Sequence, residues 1–195
     1  LLPTALFGLG EGAILPVIPE LAGDLGATLA IAGFVAAMIM IGELIGMLPG
    51  GWLVTRLSER TVMIGAAALS AVGAAVAMVA SAPWMLAAGL GIIGVSAAVF
   101  SLSRHSFMTI AVPMSHRARA LSTLGGTMRI GMFIGPFLTA AILAVRIPAQ
   151  AMLAIPIVAA VAIIIVLLAS PDIEAPLRAV RAAHPEPAKG LAATA

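Results

Sequence analysis

An all-α membrane protein of six transmembrane helices is what this sequence predicts, on three observations. Hydrophobic residues make up 62% of the 195 residues and charged residues only 9%, which leaves too little polar surface for a folded domain in water. Apolar stretches of the length that crosses a bilayer, about 20 residues each, recur six times between short breaks of Gly, Pro or charge. Basic residues crowd alternate connections: Arg56 and Arg60, then Arg117 and Arg119, then Arg178, Arg181 and Lys189, with only Arg146 on the other side. By the positive-inside rule the second and fourth connections and the tail are cytoplasmic. A multi-pass protein of the cell (inner) membrane with both ends inside is therefore expected.

The spans are predicted at 3–22, 28–54, 61–81, 84–111, 118–145 and 149–169. The first carries Pro16 and ends in a turn holding Glu20 and Asp24. The second contains Gly42, Gly46 and Gly50 at four-residue spacing, with Trp52 placed as an interfacial anchor before Arg56. Such small residues let backbones approach closely, and that is how helices associate in lipid. Gly65, Gly73 and many alanines give the third span the same character, and it closes at Ser81 to Pro83. Trp84 opens the fourth, which ends at Pro113 to Arg119. The fifth holds Pro136, where a missing backbone donor predicts a kink, and the sixth follows Arg146 to Pro148. Residues 1–170 form the predicted bundle. Residues 171–195, rich in Pro, Ala and charge, are expected to be a flexible cytoplasmic tail or linker.

Several function classes are excluded at this stage. With no cysteine, disulfides, thiolate metal sites and cysteine nucleophiles cannot form. The basic residues are dispersed among loops, so nucleic acid is not an expected partner. No metalloprotease, nucleophile-elbow or phosphate-loop pattern occurs, and neither enzymatic chemistry nor a cofactor or metal is expected.

The candidate functional residues are the charges inside the spans, because a charge at the bilayer centre costs about 2.5 to 3.5 kcal/mol on insertion scales and usually faces a cavity or a partner. Glu11 lies midway along the first span, Glu43 beyond the middle of the second, Arg104 in the cytoplasmic half of the fourth and Arg129 near the middle of the fifth. At about 1.5 Å per residue, Glu43, Arg104 and Arg129 lie on the order of 10 to 18 Å from their cytoplasmic helix ends. Two acids and two bases at similar depth can neutralise one another, and either acid can carry a proton, since protonation responds to burial and to a nearby cation. The competing reading is a set of fixed ion pairs that hold helices in register. Arg129 has a second structural role open to it, support of the neighbouring Gly131 to Pro136 stretch.

That stretch, RIGMFIGPFL, resembles the fifth-helix signature of the major facilitator superfamily, a Gly, three residues, then Gly-Pro, carried by Gly131, Gly135 and Pro136. In the family this signature is associated with antiporters, where it shapes a tight, kinked helix contact; Thr139 and Ala140 replace its closing glycines. GGWLVTRLSER is similar to the family's cytoplasmic loop G-x-L-x-D-R-x-G-R through Gly51, Leu53, Arg56 and Arg60, with Thr55 in place of the acid and Ser58 in place of the second Gly. The Pro16 to Pro19 segment and the run after it resemble drug-efflux members. Gly89 stands where the family's fourth-helix arginine belongs. The resemblance covers about the first 170 residues and implies the N-terminal six-helix half of the fold. It implies a transporter that rocks around a midplane site and exports a small amphipathic or drug-like solute against proton entry, partnered by a second six-helix half or a second copy. Thr55 and Gly89 support a different class, a non-transporting membrane subunit that docks a partner protein.

Overall fold

The computed structural model describes residues 1–111 and 114–169, and all the regular structure in them is helical. Six helical segments among these residues are long and apolar enough to cross a membrane: Leu2–Asp24, Leu29–Arg56, Glu59–Met78, Pro83–Ser106, Met114–Ala144 and Ala149–Ala169. The predicted number and order of spans stand. The expected tail at 171–195 lies outside the described residues.

Local chemistry sets the ends. The first span is α1 (Leu2–Ile14) and α2 (Ile18–Asp24), joined by a 3-10 turn at Leu15–Val17. Pro16 sits in that interruption, where its missing N–H and fixed φ disfavour a continuous α-helix. After α2 the chain reverses at Gly26, whose φ of +79° costs a glycine little. Thr28 caps α3 (Leu29–Arg56), its hydroxyl accepting the Ile31 N–H at 3.4 Å. Ser58 does the same for α4 (Glu59–Met78) with the Thr61 N–H at 3.2 Å, each satisfying a donor that helix geometry leaves free. Pro83 opens α5 (Pro83–Ala111) at the position where its lack of a donor does no harm. α6 (Arg117–Ala144) follows, and a 3-10 turn (Ala149–Leu153) leads into α7 (Ala154–Ala169).

The helices do not pack in sequence order. α3 and α4 both lie along α5 and scarcely meet each other, α6 lies along α1, and α7 bridges α1 and α4. In the most apolar stretches of the first and fourth spans 61% and 67% of residues are buried, against 28% and 17% for the second and fifth. The bundle is thus built around α1 and α5, with α3 and α6 on its flanks. One core cluster joins Ile14, Val17, Leu21, Val35, Leu90 and Leu153; the other joins Phe7, Met63, Phe100 and Ile163. Phe7 of α1 stacks on Phe100 of α5 with ring centroids 4.3 Å apart.

Glycine makes the closest approaches. A Cβ on Gly12 of α1 would fall 2.8 Å from Met132 Cα of α6, and one on Gly135 of α6 would fall 2.6 Å from the Gly12 carbonyl carbon. Gly94 of α5 is closed off by Ile39 and by the Glu43 nitrogen of α3, at 2.9 and 3.0 Å. In lipid, where apolar side chains gain nothing by leaving acyl chains for each other, this backbone proximity and a few interhelical hydrogen bonds hold the bundle. Thr139 donates to the Ala13 carbonyl at 2.6 Å, Ser96 to that of Ala66 at 2.7 Å and Ser103 to that of Glu59 at 2.7 Å.

Candidate functional site

Of the four charged candidates Glu11, Glu43, Arg104 and Arg129, the first three converge. Glu11 is carried by α1, next to the Gly10 and Gly12 positions that admit α7 and α6, and its side chain is only 8% exposed. Glu43 is carried by α3, half-buried, and its backbone is drawn against α5 at Gly94. Arg104 is carried by α5 and is also 8% exposed. The Glu11 carboxyl is near enough to that of Glu43 to share a hydrogen bond, and Arg104 interacts electrostatically with Glu11.

This arrangement has definite chemical content. An ionised carboxylate only accepts, so two carboxyl groups share a hydrogen bond only when one of them carries the proton. A proton shared in that way would leave one negative charge on the two groups, opposite in sign to the nearby Arg104 guanidinium. Arg104 is not saturated by this: its Nε and Nη1 are buried without a hydrogen-bond partner among the described residues. Unused donors on a buried cation are costly, so the cluster gains from any rearrangement that brings an acceptor to them. Glu11 also lines a cavity of about 10 Å³ with Phe7, Ser70 and Pro156, near the lower limit for one water molecule.

Arg129 is not brought into this group. It lies on an exposed face of α6, while Gly131 and Gly135 of the same helix turn toward α1. Pro136 lies within α6, one residue past that contact. His105 is exposed and its Nδ1 donates to the Ser101 carbonyl at 2.6 Å, a local helix contact. Of the residues matched to the family's loop pattern, Gly51 and Arg56 lie in α3 and Arg60 in α4; Gly51 has open space where a Cβ would be, and Arg56 lies over the Trp52 ring at 5.7 Å. Arg60 donates from Nη2 to the Leu168 carbonyl at 2.9 Å, satisfying an orphan acceptor in the last turn of α7.

Sequence reasoning did not single out Glu59. Ser103 and Ser106, one turn apart on α5, donate to its carbonyl at 2.7 Å and to its Oε1 at 3.2 Å, tying the start of α4 to α5. The available signal was an acid in a first helical turn directly after a Ser cap, combined with two serines at i, i+3 in an otherwise apolar span. Ser70, buried beside Glu11 in the small cavity, carried no signal beyond being polar.

Comparison with known proteins gives three findings. The profile of the Major Facilitator Superfamily matches residues 1–193. Myo-inositol transporter 1 of Candida albicans (strain SC5314 / ATCC MYA-2876) is 26% identical over 141 residues, covering 69% of this chain and 26% of the relative. Probable inositol transporter 3 of Arabidopsis thaliana is 26% identical over 132 residues, covering 66% of this chain and 23% of the relative. The chain thus spans about a quarter of the length of these curated relatives.

Proposed function

We propose, because the chain belongs to the major facilitator superfamily, that it forms one half of a proton-coupled secondary transporter. Its six membrane-crossing helices correspond to half of that fold, and the protein is a multi-pass membrane protein. The observation that carries the functional reading is the meeting of Glu11, Glu43 and Arg104 from three different helices inside the spans. Rocking of two bundles around a midplane site exposes such a cluster alternately to the two sides. The Glu11–Glu43 pair is the proton carrier, and Arg104 stands by as the counter-charge once the proton leaves. A solute that competes with the proton for the pair is exported as protons enter. The antiporter signature at Gly131, Gly135 and Pro136 and the efflux-like first span support a small amphipathic cargo.

The test is flux through the complete transporter containing this chain, reconstituted in liposomes with an imposed pH gradient. Glu11→Gln and Glu43→Gln are each expected to abolish gradient-driven accumulation while leaving gradient-independent exchange. Wild-type accumulation in both variants would remove the proton-carrier role. The names of the two relatives support a second cargo, a polyol such as inositol. Counterflow of labelled inositol, set beside that of a lipophilic cation, decides between the two.

A further inference from the structure

Because α3 and α4 both pack on α5 and scarcely on each other, a strip of α5 is left as the floor of a groove between them. Ala88, Gly91, Ile92 and Val95 form that floor, at helical spacing on one face. Met38, Gly42 and Ile45 of α3 form one wall and Leu69 of α4 the other, around a volume of about 300 Å³. All eight side chains are apolar or absent. Water in such a space would have no polar partners, while leaving it empty would forfeit dispersion contacts along both walls.

The groove is continuous with an exposed apolar face of the bundle. Ile45 and Leu69 on its rims are exposed, and so are Met40, Ile41, Leu44 and Leu48 further round α3 and Val72 on α4. Its lining comes from the middle of the spans Leu29–Arg56 and Glu59–Met78 and from Pro83–Ser106, at the level of hydrocarbon. At one end stands Trp84, 78% exposed and one turn before Ala88, so the two share a helix face. A tryptophan at the start of a span sits at headgroup level, directly in line with the groove.

We propose that this groove is a lipid site: it seats one acyl chain of a bilayer phospholipid, with the headgroup end of that lipid beside Trp84 and the chain running along Ala88, Gly91 and Val95 toward the bilayer centre. The inference is independent of the transport reading and stands or falls separately from it.

Trp52→Phe removes the other of the two tryptophans in these 195 residues, leaving Trp84. In detergent, this variant of the 195-residue chain is titrated with a phosphatidylcholine brominated near the carbonyl end of its chains, and Trp84 fluorescence is followed. Quenching is expected to saturate at one lipid per chain. Ala88→Phe and, separately, Ile45→Phe fill the groove from exposed positions, and each is expected to weaken saturable quenching at least ten-fold with unchanged helical content. Quenching that rises in proportion to micellar lipid without saturating, or that is unaffected by both filling variants, overturns the proposal. So does the absence of quenching because another protein segment covers the groove.

Discussion

The seam between α1 and α6 and the seam between α3 and α5 are both lined with glycine, yet they close differently. In the first, the two helices exchange close approaches: Gly8 and Gly12 face the backbone at Met128 and Met132, Gly131 and Gly135 face Ala5 and Gly12, and Thr139 bonds to Ala13. In the second, closure is graded. Glycine meets backbone tightly where Gly42 and Gly94 lie, but further along a Cβ on Gly46 would be 2.8 Å from Val95 and one on Gly50 3.3 Å from Val99. The difference teaches where the bundle can yield. A reciprocal contact can slide only as a unit, whereas a graded one can open at its loose end while its tight end keeps Glu43 beside α5. Each seam also delivers one acid to the same place: Glu11 lies between Gly10 and Gly12, and Glu43 follows Gly42.

Substitutions can break or sharpen this comparison. Gly12→Leu has no space against α6 backbone and is expected to cost about 3 kcal/mol or more, read as a loss of helical structure at lower SDS fraction in mixed micelles. Gly94→Ala, against Ile39 and Glu43, is expected to cost about 1 to 3 kcal/mol by the same titration; a cost equal to that of Gly12→Leu would show the two seams to be equally rigid. Thr139→Val removes the interhelical hydrogen bond and is expected to cost about 0.6 kcal/mol, the usual size in membrane helices. Gly51→Ala meets nothing and is expected to stay within about 0.5 kcal/mol of wild type, which makes it the baseline for the other three.

Glu11→Gln tests the convergence from the chemical side. The amide keeps the shape of the acid and cannot ionise, so stability in micelles should change less than for Gly12→Leu, while proton-driven flux of the complete transporter should be lost. A large stability loss with flux retained would make Glu11 a packing residue.

Much of the scaffold could be read in advance. The six spans and the interruption at Pro16 follow from hydropathy and backbone chemistry, and Gly42, Gly46, Gly50 and Gly73 make the close approaches their size suggests, whereas Gly65 meets nothing and the contacts of Gly8, Gly10 and Gly12 are seen only in the fold. The candidate site was legible only in part. Glu11, Glu43 and Arg104 stood out because ionisable groups are rare in spans, but the same argument selected Arg129, which the fold leaves on an exposed face of α6. Glu59 was passed over because an acid at a helix start is ordinary until Ser103 and Ser106 are seen opposite it.

The amino-acid order by itself determined how far along a helix each residue lies, since span length and rise per residue give depth directly. Which helices are neighbours, and which way each charged side chain turns, was decided by the tertiary structure alone. The reason is that lipid and protein interior are nearly equally apolar, so a membrane helix shows no clear polar face to mark its orientation. Only the fit of backbone against backbone at Gly12, Gly94, Gly131 and Gly135 fixes the rotations that bring Glu11, Glu43 and Arg104 together and turn Arg129 away.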